Sequence, residues 1–463
     1  MPILRSATIA ATLLCAISIS TSAMSVAADP TDRPNILFIM VDDMGYADLG
    51  SYGNRHQNTP NIDQLASQGL KLTNGYANAA ICSPTRTALL TGQYQYRFPL
   101  GLEEPVGKNF PEDGNLSVEQ PTWGSLFRDQ GYFTALVGKW HLGDPPDHSP
   151  LQHGYNYFYG IPKGAADYFQ HKADLASSET DYADGLFRND EKVEEDGYLT
   201  DLFANEVIKL IENRDDRPFM ISLHFNAPHW PWEGPEDEAV SATLGSIFHY
   251  DGGSLKTYAE MMSSMDTNVG RILKTLQNEG IADNTIVIFT SDNGAERFSD
   301  TWPFTGMKGE LLEGGIHVPI IVRWPNRIAA RSESEQMMIS MDFIPTLLAA
   351  VGADVDESQF DGKNLLPVLL GEQAFEERTL FWRFKAHDQQ AVRQGDWKYL
   401  KIGDHEHLYN LAQDQRERAE LANKYPGKLA ELKALWQEWN QHMLPYPENS
   451  SSQNNIGSYG DRY

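Results

Sequence analysis

Four short apolar segments of the chain each run into polar side chains. Segments of this length and composition predict buried strands of a mainly parallel sheet. Because ligands bind beyond the carboxyl ends of such strands, the polar residues are candidates for a functional site. The segments are Ile36 to Val41 before Asp42 and Asp43, Phe133 to Val137 before Lys139 and His141, Phe219 to Phe225 before His229, and Ile286 to Phe289 before Asp292 and Asn293.

Helical patterns lie between these strands. From Tyr258 to Gln277, apolar residues recur at helical spacing, which predicts a helix packed against a core and gives the stripe no cofactor role. The stripe consists of Met262, Met265, Val269, Ile272, Leu273 and Leu276. Alternating strands and helices predict the α/β class and, within it, an α/β/α sandwich.

The pattern changes after Asp361 and Gly362. Short alternating strands are predicted at about Thr379 to Phe384, Gln390 to Arg393 and Trp397 to Ile402, followed by a helix from Pro426 to Met443. We therefore expect a main domain over residues 29–370 and a smaller C-terminal α+β domain with a polar tail over residues 371–463. The acidic stretch from Lys163 to Thr200 has no clear period and is expected to be a long loop or hairpin insertion near the site.

The first 28 residues have the order of a secretory signal peptide: Arg5, an apolar run from Ile9 to Ile19, then small residues ending near Ala28. The apolar run is too short for a membrane span. We expect a secreted or periplasmic protein whose mature form has no membrane segment. Cys82 would then be the only cysteine left, so no intramolecular disulfide can form, and its neighbours must decide between a buried thiol and a reactive one.

Acidic residues outnumber basic ones by 64 to 37, which gives a net charge of −27. Such a surface repels phosphate backbones, so nucleic acid is excluded as a partner. A polyanionic substrate would be repelled as well, and an anion site on this chain must be a local basic pocket.

The strand-end carboxylates indicate a metal site. Asp42, Asp43, Asp292 and Asn293 offer only oxygen ligands, which suit calcium or magnesium rather than zinc. The alternative is that each pair begins a solvated turn, and the repeated placement at strand ends favours the metal.

Cationic side chains are expected at the same edge. They are Arg86, Lys139, Lys308, His141 and His229. A metal together with basic groups is the combination that stabilises a tetrahedral oxyanion, although any one of these residues alone would be assigned to the surface or the core.

The segment "AAICSPTRTALLTG", Ala79 to Gly92, favours a metal and oxyanion site over solvated turns and surface charges. It resembles the formylglycine motif of the sulfatase family, C-x-P-x-R followed by hydrophobic residues and T-G. A second family stretch, "GYFTALVGKWH" from Gly131 to His141, also matches. The resemblance spans nearly the whole mature chain and adds these segments: "NILFIMVDDMGYADLG", "TSDNG", "KGELLEGGIHVP" and "GDWKYL". It implies the alkaline-phosphatase-like α/β/α sandwich with a small C-terminal domain.

Further expectations follow from this resemblance. Cys82 would be converted by a formylglycine-generating enzyme, with Ser83, Pro84 and Arg86 as recognition context, and the hydrated aldehyde would be the nucleophile. A thiol bound to sulfur would leave a stable intermediate, whereas a gem-diol can attack with one hydroxyl and expel sulfate by deprotonation of the other.

The resemblance also assigns the remaining roles. Calcium would be bound by Asp42, Asp43, Asp292, Asn293 and the modified Cys82, and Arg86 would hold the diol. Lys139 and Lys308 would bind the sulfate oxygens, His141 would be the base that releases sulfate, and His229 the general acid. His317 stands where family members often have Arg, which puts an ion pair or substrate contact in doubt, and for "DHEH" at His405 and His407 a solvated turn is favoured over a second metal site.

The predicted function is calcium-dependent hydrolysis of sulfate esters through formylglycine. Aromatic residues in "APHWPWEG", "HGYNYFYG" and "TWPFTG" suit stacking on sugars, which favours a sulfated carbohydrate or polysaccharide, with loop packing as the alternative. A broad-specificity arylsulfatase and a phosphate or phosphonate ester hydrolase of the same fold remain open. If Cys82 stayed a thiol, the protein would be a sulfated-glycan-binding protein without turnover.

Overall fold

The structure is a computed structural model that describes residues 33–107, 110–175, 183–248 and 252–448. The predicted signal peptide and residues 449–463 of the polar tail lie outside these ranges. Within them no helix has both the length and the apolar composition needed to cross a bilayer. The domain boundaries at residues 28 and 370 stay predictions.

The described residues form sixteen strands in three sheets. The strands are β1 (Asn35–Val41), β2 (Leu70–Leu72), β3 (Gly75–Tyr76), β4 (Phe133–Lys139), β5 (Tyr157–Ile161), β6 (Leu186–Arg188), β7 (Glu191–Val193), β8 (Phe219–His224), β9 (Thr285–Ser291), β10 (Ile320–Arg323), β11 (Ser332–Ser334), β12 (Met338–Ile339), β13 (Thr379–Phe384), β14 (Gln389–Gln394), β15 (Trp397–Ile402) and β16 (His405–Asn410). The four strands predicted for the main sheet are β1, β4, β8 and β9.

The helices of the described chain separate into two layers and a C-terminal element. They are α1 (Pro60–Ser67), α2 (Cys82–Thr91), α3 (Trp123–Asp129), α4 (Leu199–Glu212), α5 (Glu238–Ser241), α6 (Leu255–Asn278), α7 (Glu313–Ile316), α8 (Phe343–Ala350), α9 (Leu366–Leu369) and α10 (Pro426–Asn440). The helix predicted over Tyr258 to Gln277 is α6, and its apolar stripe is buried as expected except for Leu273, which is partly buried.

The largest sheet has ten strands in the order β11-β2-β10-β9-β1-β8-β4-β5-β6-β7. Its centre, β9-β1-β8-β4-β5, is parallel throughout. Strand β10 runs antiparallel to β9, and the β6-β7 hairpin extends the other side. Because the central strands share one direction, their carboxyl ends meet at a single edge, as the sequence pattern predicts.

Alternate residues of β1 enter two different cores, because successive side chains of a strand point to opposite faces. Leu37 and Ile39 pack in the cluster that contains residues of α1, α4 and α6. Ile36 and Phe38 pack in the cluster with residues of α3 and α8. The sheet is therefore covered by helices on both faces, and the predicted α/β/α sandwich is confirmed.

The C-terminal region is a four-stranded antiparallel sheet, β13-β14-β15-β16, with α10 packed on it. Three of these strands match the prediction. The fourth was missed, because "DHEH" was expected to be a solvated turn. The turn is limited to Gly403 and Asp404, and His405 already begins β16, where it pairs with Ile402.

The insertion between Lys163 and Thr200 is in part a hairpin, which agrees with one of the two expected forms. Strand β6 pairs with β5 and so belongs to the main sheet. Helix α4 begins at Leu199. Residues 176–182 of the insertion lie outside the described ranges.

Candidate active site

Two strand ends bring the predicted metal ligands together. Asp42 and Asp43 follow β1, and Asp292 and Asn293 follow its parallel neighbour β9. All four side chains are at most 1% exposed. Asp43 has φ 67°, a left-handed conformation that costs about 1–3 kcal/mol outside glycine and is often found at functional sites.

This donor set fits a hard divalent cation. Oxygens of Asp42 and Asp292 and the sulfur of Cys82 lie within 4.8 Å of one another. Within the described chain, Oδ1 of Asp42 and Oδ1 of Asn293 are buried acceptors without a hydrogen-bond partner. Burial and the neighbouring Asp292 raise the pKa of Asp42, whereas Lys139 and Arg86 lower it. Unpaired buried oxygens beside carboxylates are the type of ligand that Ca²⁺ binds.

The two predicted lysines contact these carboxylates directly. Nζ of Lys139 donates to Oδ2 of Asp42 at 2.5 Å, and Nζ of Lys308 donates to Oδ2 of Asp43 at 2.7 Å. Burial opposes the charge of Lys308, but Asp43 outweighs it and raises the pKa of the lysine. Both ammonium groups are therefore held at the carboxyl edge, one from β4 and one from the loop after β9.

Arg86 organises the site from helix α2. Its Nε and Nη2 donate to Oδ2 of Asp292 at 3.0 and 2.8 Å, and its Nη1 donates to the carbonyl oxygen of Lys139 at 3.0 Å. The guanidinium is 2% exposed, so this charge-assisted pair is strong and orients Asp292. A contact between Arg86 and a diol at position 82 stays a prediction.

Cys82 is the first residue of α2 and lies against His141. Its Sγ is 3.4 Å from Nδ1 of His141, and Nε2 of that ring is 3.0 Å from the carbonyl oxygen of Val106. Since a carbonyl can only accept, Nε2 carries the proton and Nδ1 presents a lone pair to position 82. Burial and Lys139 lower the pKa of His141, which keeps the ring neutral and suited to accept a proton.

His229 approaches the site from the loop after β8. Its Nδ1 donates to the carbonyl oxygen of Trp230 at 2.6 Å, and its Nε2 is 3.5 Å from Oδ2 of Asp43. Burial and Lys308 lower the pKa of His229. Nε2 is thus the nitrogen that faces the carboxylates, and Asp43 beside it favours the protonated ring.

Two residues of the site gave no useful signal in the sequence. His224 ends β8 and lies with Nδ1 3.4 Å from Nη1 of Arg86. In the sequence, the only indication of a role for His224 is that it is a polar residue in an otherwise apolar strand. Gly164 packs on the ring of His141, where a Cβ would come within 2.4 Å of Cε1. Nothing in the local sequence "PKGAAD" indicates this contact.

The side chain of His317 forms its hydrogen bonds outside the active site. Its Nδ1 is 2.9 Å from Oε2 of Glu313, and its Nε2 is 2.7 Å from the carbonyl oxygen of Thr73. Glu313 also accepts from Nζ of Lys398 in the C-terminal sheet at 2.8 Å. An ion cluster between the two sheets therefore includes position 317.

The aromatic segments differ in their environment. In "HGYNYFYG" the expectation of sugar stacking is wrong for Tyr155, Phe158 and Tyr159, which are buried in the two cores because β5 is an internal strand. Trp230 does lie at the site: its ring centroid is 4.0 Å from that of His229 and 5.9 Å from Nζ of Lys308. Trp302 of "TWPFTG" is 46% exposed.

Known proteins share this architecture. Residues 34–353 match the Sulfatase family, and residues 307–444 match the C-terminal region of N-sulphoglucosamine sulphohydrolase. N-acetylgalactosamine-6-sulfatase of Mus musculus is 32% identical over 394 residues, which cover 81% of this chain and 73% of that protein. Arylsulfatase A of Bos taurus is 31% identical over 419 residues, which cover 83% of this chain and 77% of the relative.

A solved structure extends the likeness over most of the chain. The crystal structure of Ps i-CgsB in complex with k-i-k-neocarrahexaose superimposes with a TM-score of 0.79 at 28% identity, covering 90% of this chain and 95% of that one. The family match over residues 34–353 and the shared fold lead to one conclusion: the chain belongs to the sulfatase family and is a sulfuric ester hydrolase.

Proposed function

We propose that this sulfatase uses a formylglycine at position 82 and bound calcium to hydrolyse sulfate esters of carbohydrates outside the cytoplasm. The observation that carries the proposal is the position of Cys82, whose Sγ faces the unprotonated Nδ1 of His141 at 3.4 Å. Carboxylates, lysines and Arg86 surround this pair at the carboxyl edge of the sheet.

Calcium would be held by Asp42, Asp43, Asp292 and Asn293, together with an oxygen at position 82. The unpaired oxygens of Asp42 and Asn293 support this assignment. When bound, the cation supplies positive charge next to the sulfate oxygens. Arg86 keeps Asp292 oriented through its two hydrogen bonds to Oδ2.

The chain supplies the proton acceptor beside residue 82. Hydrated formylglycine offers two hydroxyl groups, one to attack sulfur and one to be deprotonated when sulfate leaves. His141 is placed to accept that second proton at Nδ1, because its Nε2 is bound to the carbonyl of Val106. Without this hydrogen bond the ring could rotate, and the lone pair would no longer be directed at position 82.

His229 is the proposed proton donor to the leaving alcohol. In the attack, one hydroxyl of residue 82 gives its proton to the carboxylate of Asp42 or Asp292, whose oxygens lie within 4.8 Å of the sulfur at that position. The oxygen bonds to the sulfur of the ester as the ester S–O bond breaks, and the alcohol departs with a proton from Nε2 of His229. Burial and Lys308 lower the pKa of His229, whereas Asp43 and the negative charge of a bound sulfate ester favour its protonated form. Lys139 and Lys308 would bind the sulfate oxygens.

A sulfated carbohydrate is the proposed substrate class. One relative is an N-acetylgalactosamine-6-sulfatase, and one related structure contains an oligosaccharide, k-i-k-neocarrahexaose. Trp230 beside His229 and Lys308 offers an aromatic surface next to the reacting group. The similarity to arylsulfatase A keeps a broad-specificity arylsulfatase as the second candidate.

The location and the maturation step belong to the same proposal. The signal-peptide pattern of residues 1–28 supports export to the periplasm or beyond. A formylglycine-generating enzyme would act on Cys82 within "CSPTR" before folding. Conversion before folding is needed because Cys82 is 3% exposed in the folded protein.

Two measurements test this function. The mass of the Cys82 peptide, with and without an aldehyde-reactive hydrazide, should show conversion of the thiol to an aldehyde. Sulfate release should then be measured from sulfated oligosaccharides, from 4-nitrophenyl sulfate and from the matched phosphate ester. An unmodified cysteine in active protein would refute the mechanism, and a higher kcat/KM on the phosphate ester would refute the sulfatase specificity.

A further inference from the structure

A large exposed aromatic residue lies near the site and has two guanidinium groups close to its ring. Trp302 is 46% exposed. The guanidinium carbon of Arg55 is 5.3 Å from its ring centroid, and that of Arg416 is 5.1 Å from it. We call these three side chains the Trp302 platform. They come from three distant parts of the chain, so only the folded protein assembles them.

The loop that bears Trp302 is anchored to the active site. At its base, the backbone N–H of Lys308 donates to the carbonyl oxygen of Ala295 at 2.7 Å. Before its tip, the hydroxyl of Ser299 donates to the carbonyl oxygen of Asp43 at 2.9 Å. Three residues span at most about 10 Å, so Trp302 lies within roughly that distance of Ser299. The loop therefore ties the platform to the backbone of Asp43, at the edge of the active site.

The two arginines of the platform are not equivalent. Arg55 is paired, because its Nε and Nη2 donate to Oδ2 of Asp300 at 3.1 and 2.8 Å. In the described part of the chain, no carboxylate pairs with the guanidinium of Arg416, and its Nε is a buried donor without a hydrogen-bond partner. In a protein with a net charge of −27, an arginine without a carboxylate partner is well suited to an external anion.

The position of Arg416 is set by the fold. Its carbonyl oxygen accepts a hydrogen bond from the hydroxyl of Thr305 at 2.9 Å, which ties the segment after β16 to the loop of Trp302. The adjacent Glu417 accepts from the backbone N–H of Glu313 at 2.7 Å. These bonds fix the backbone at Arg416, and its guanidinium carbon lies 5.1 Å from the ring centroid of Trp302.

We propose that the Trp302 platform binds a second sulfated sugar unit of a polymeric substrate. Arg416 bonds to the sulfate oxygens of that unit, and the exposed part of Trp302 contacts its C–H groups. The proposal rests on the proposed function, because it assumes a sulfated carbohydrate at the active site. It adds that the enzyme recognises at least two sulfated sugars in one chain.

Binding should be measured separately from turnover. In a Cys82→Ala background, calorimetry gives the Kd of tetrasaccharides of carrageenan and chondroitin sulfate. The Trp302→Ala change should raise the Kd of the preferred tetrasaccharide roughly tenfold, and Arg416→Ala should raise it roughly three- to tenfold. Trp302→Phe should restore part of the affinity, which separates loss of ring contact from misfolding.

The chain offers a matched control for the arginine. Arg327 lies over Trp324 at 4.8 Å and follows β10, whose direction places it at the opposite edge of the sheet from the site. Arg327→Ala should change the Kd by less than about twofold. With an oligosaccharide that lacks the second sulfate, Arg416→Ala should have no more effect than this control.

The outcomes separate the platform from the catalytic proposal. Unchanged tetrasaccharide affinity in both Trp302→Ala and Arg416→Ala would overturn the platform, and so would a wild-type protein that prefers no tetrasaccharide over a monosaccharide sulfate. An equal loss of kcat/KM on 4-nitrophenyl sulfate and on the tetrasaccharide would also overturn it. Trp302-dependent binding without sulfate release from any substrate would instead refute the proposed function and leave the platform standing.

Discussion

Replacing Gly164 with alanine tests whether His141 needs the position that the fold gives it. A Cβ at residue 164 would lie 2.4 Å from Cε1 and 2.5 Å from Nε2 of His141, whereas ordinary contacts are 3.4–4 Å. The ring must therefore move by about 1 Å (3.4 − 2.4). Such a shift disturbs both the bond from Nε2 to the carbonyl of Val106 and the approach of Nδ1 to Cys82.

A displacement of about 1 Å in a catalytic group can cost about 100-fold in rate. We expect Gly164→Ala to lower kcat on 4-nitrophenyl sulfate by about this factor, with little change in thermal stability because only one side chain is displaced. Conversion of Cys82 must be measured by mass in the same preparation. Gly107→Ala is the matched control: it adds the same methyl group next to Val106, where no atom of the described residues other than its chain neighbours lies within 4 Å.

The result that would refute this reasoning is a wild-type kcat in Gly164→Ala together with a large loss in His141→Ala, which would mean that the ring tolerates the shift. Normal activity in both variants would show that His141 is not the base. A loss of kcat in Gly107→Ala as large as in Gly164→Ala would mean that the effect is not specific to the ring.

Three further predictions concern the leaving group, the metal and pH. His229→Ala should lower kcat/KM far more on sugar sulfates, which have poor leaving groups, than on 4-nitrophenyl sulfate; equal losses would refute the general-acid role. Chelation with EDTA should lower the thermal midpoint and Ca²⁺ should restore it, since the cation relieves carboxylate repulsion; an Asp292→Asn variant with the same response would contradict the assigned ligands. Burial and the neighbouring Asp167 raise the pKa of Glu233 from 4.5 to about 9. The folded state therefore binds this proton more tightly, and the stability it contributes is complete below about pH 4.5 and lost as pH rises through about 9. The slope is up to about 1.4 kcal/mol per pH unit, and Glu233→Gln should flatten it in thermal unfolding scans; an unchanged slope would contradict this assignment.

The residues at the strand ends show which part of the site could be predicted from the sequence pattern. Apolar runs predicted β1 and β9, and the polar residues after them could be assigned to one edge because parallel strands share a direction. This argument needs no contact distances. It placed Asp42 and Asp292 on the same edge although 250 residues separate them in the chain.

Sequence reasoning failed for the aromatic segments, because only an exposed aromatic side chain can contact a sugar and the sequence does not show which ones are exposed. "HGYNYFYG" and "TWPFTG" are both aromatic segments, yet Tyr159 is buried in β5 and Trp302 is 46% exposed in a loop. Composition is similar in the two cases, and only the neighbouring elements differ. Strand β16 was missed for a similar reason. The polar residues of "DHEH" predict a turn when they are considered alone, and only the pairing with β15 shows that they belong to a strand.

The sequence by itself determined the central strands of the main sheet, the family and the chemical types at the site, because apolar periodicity and the "CSPTR" motif are properties of neighbouring residues. The tertiary structure alone decided how remote side chains act on one another. It brought Lys308 into contact with Asp43, 265 positions away in the chain, and it placed the carbonyl of Val106 where it determines the tautomer of His141. Beside Trp302, it gave Arg416 no carboxylate partner among the described residues. Distances, burial and charge balance result from packing, and local propensities carry no information about them.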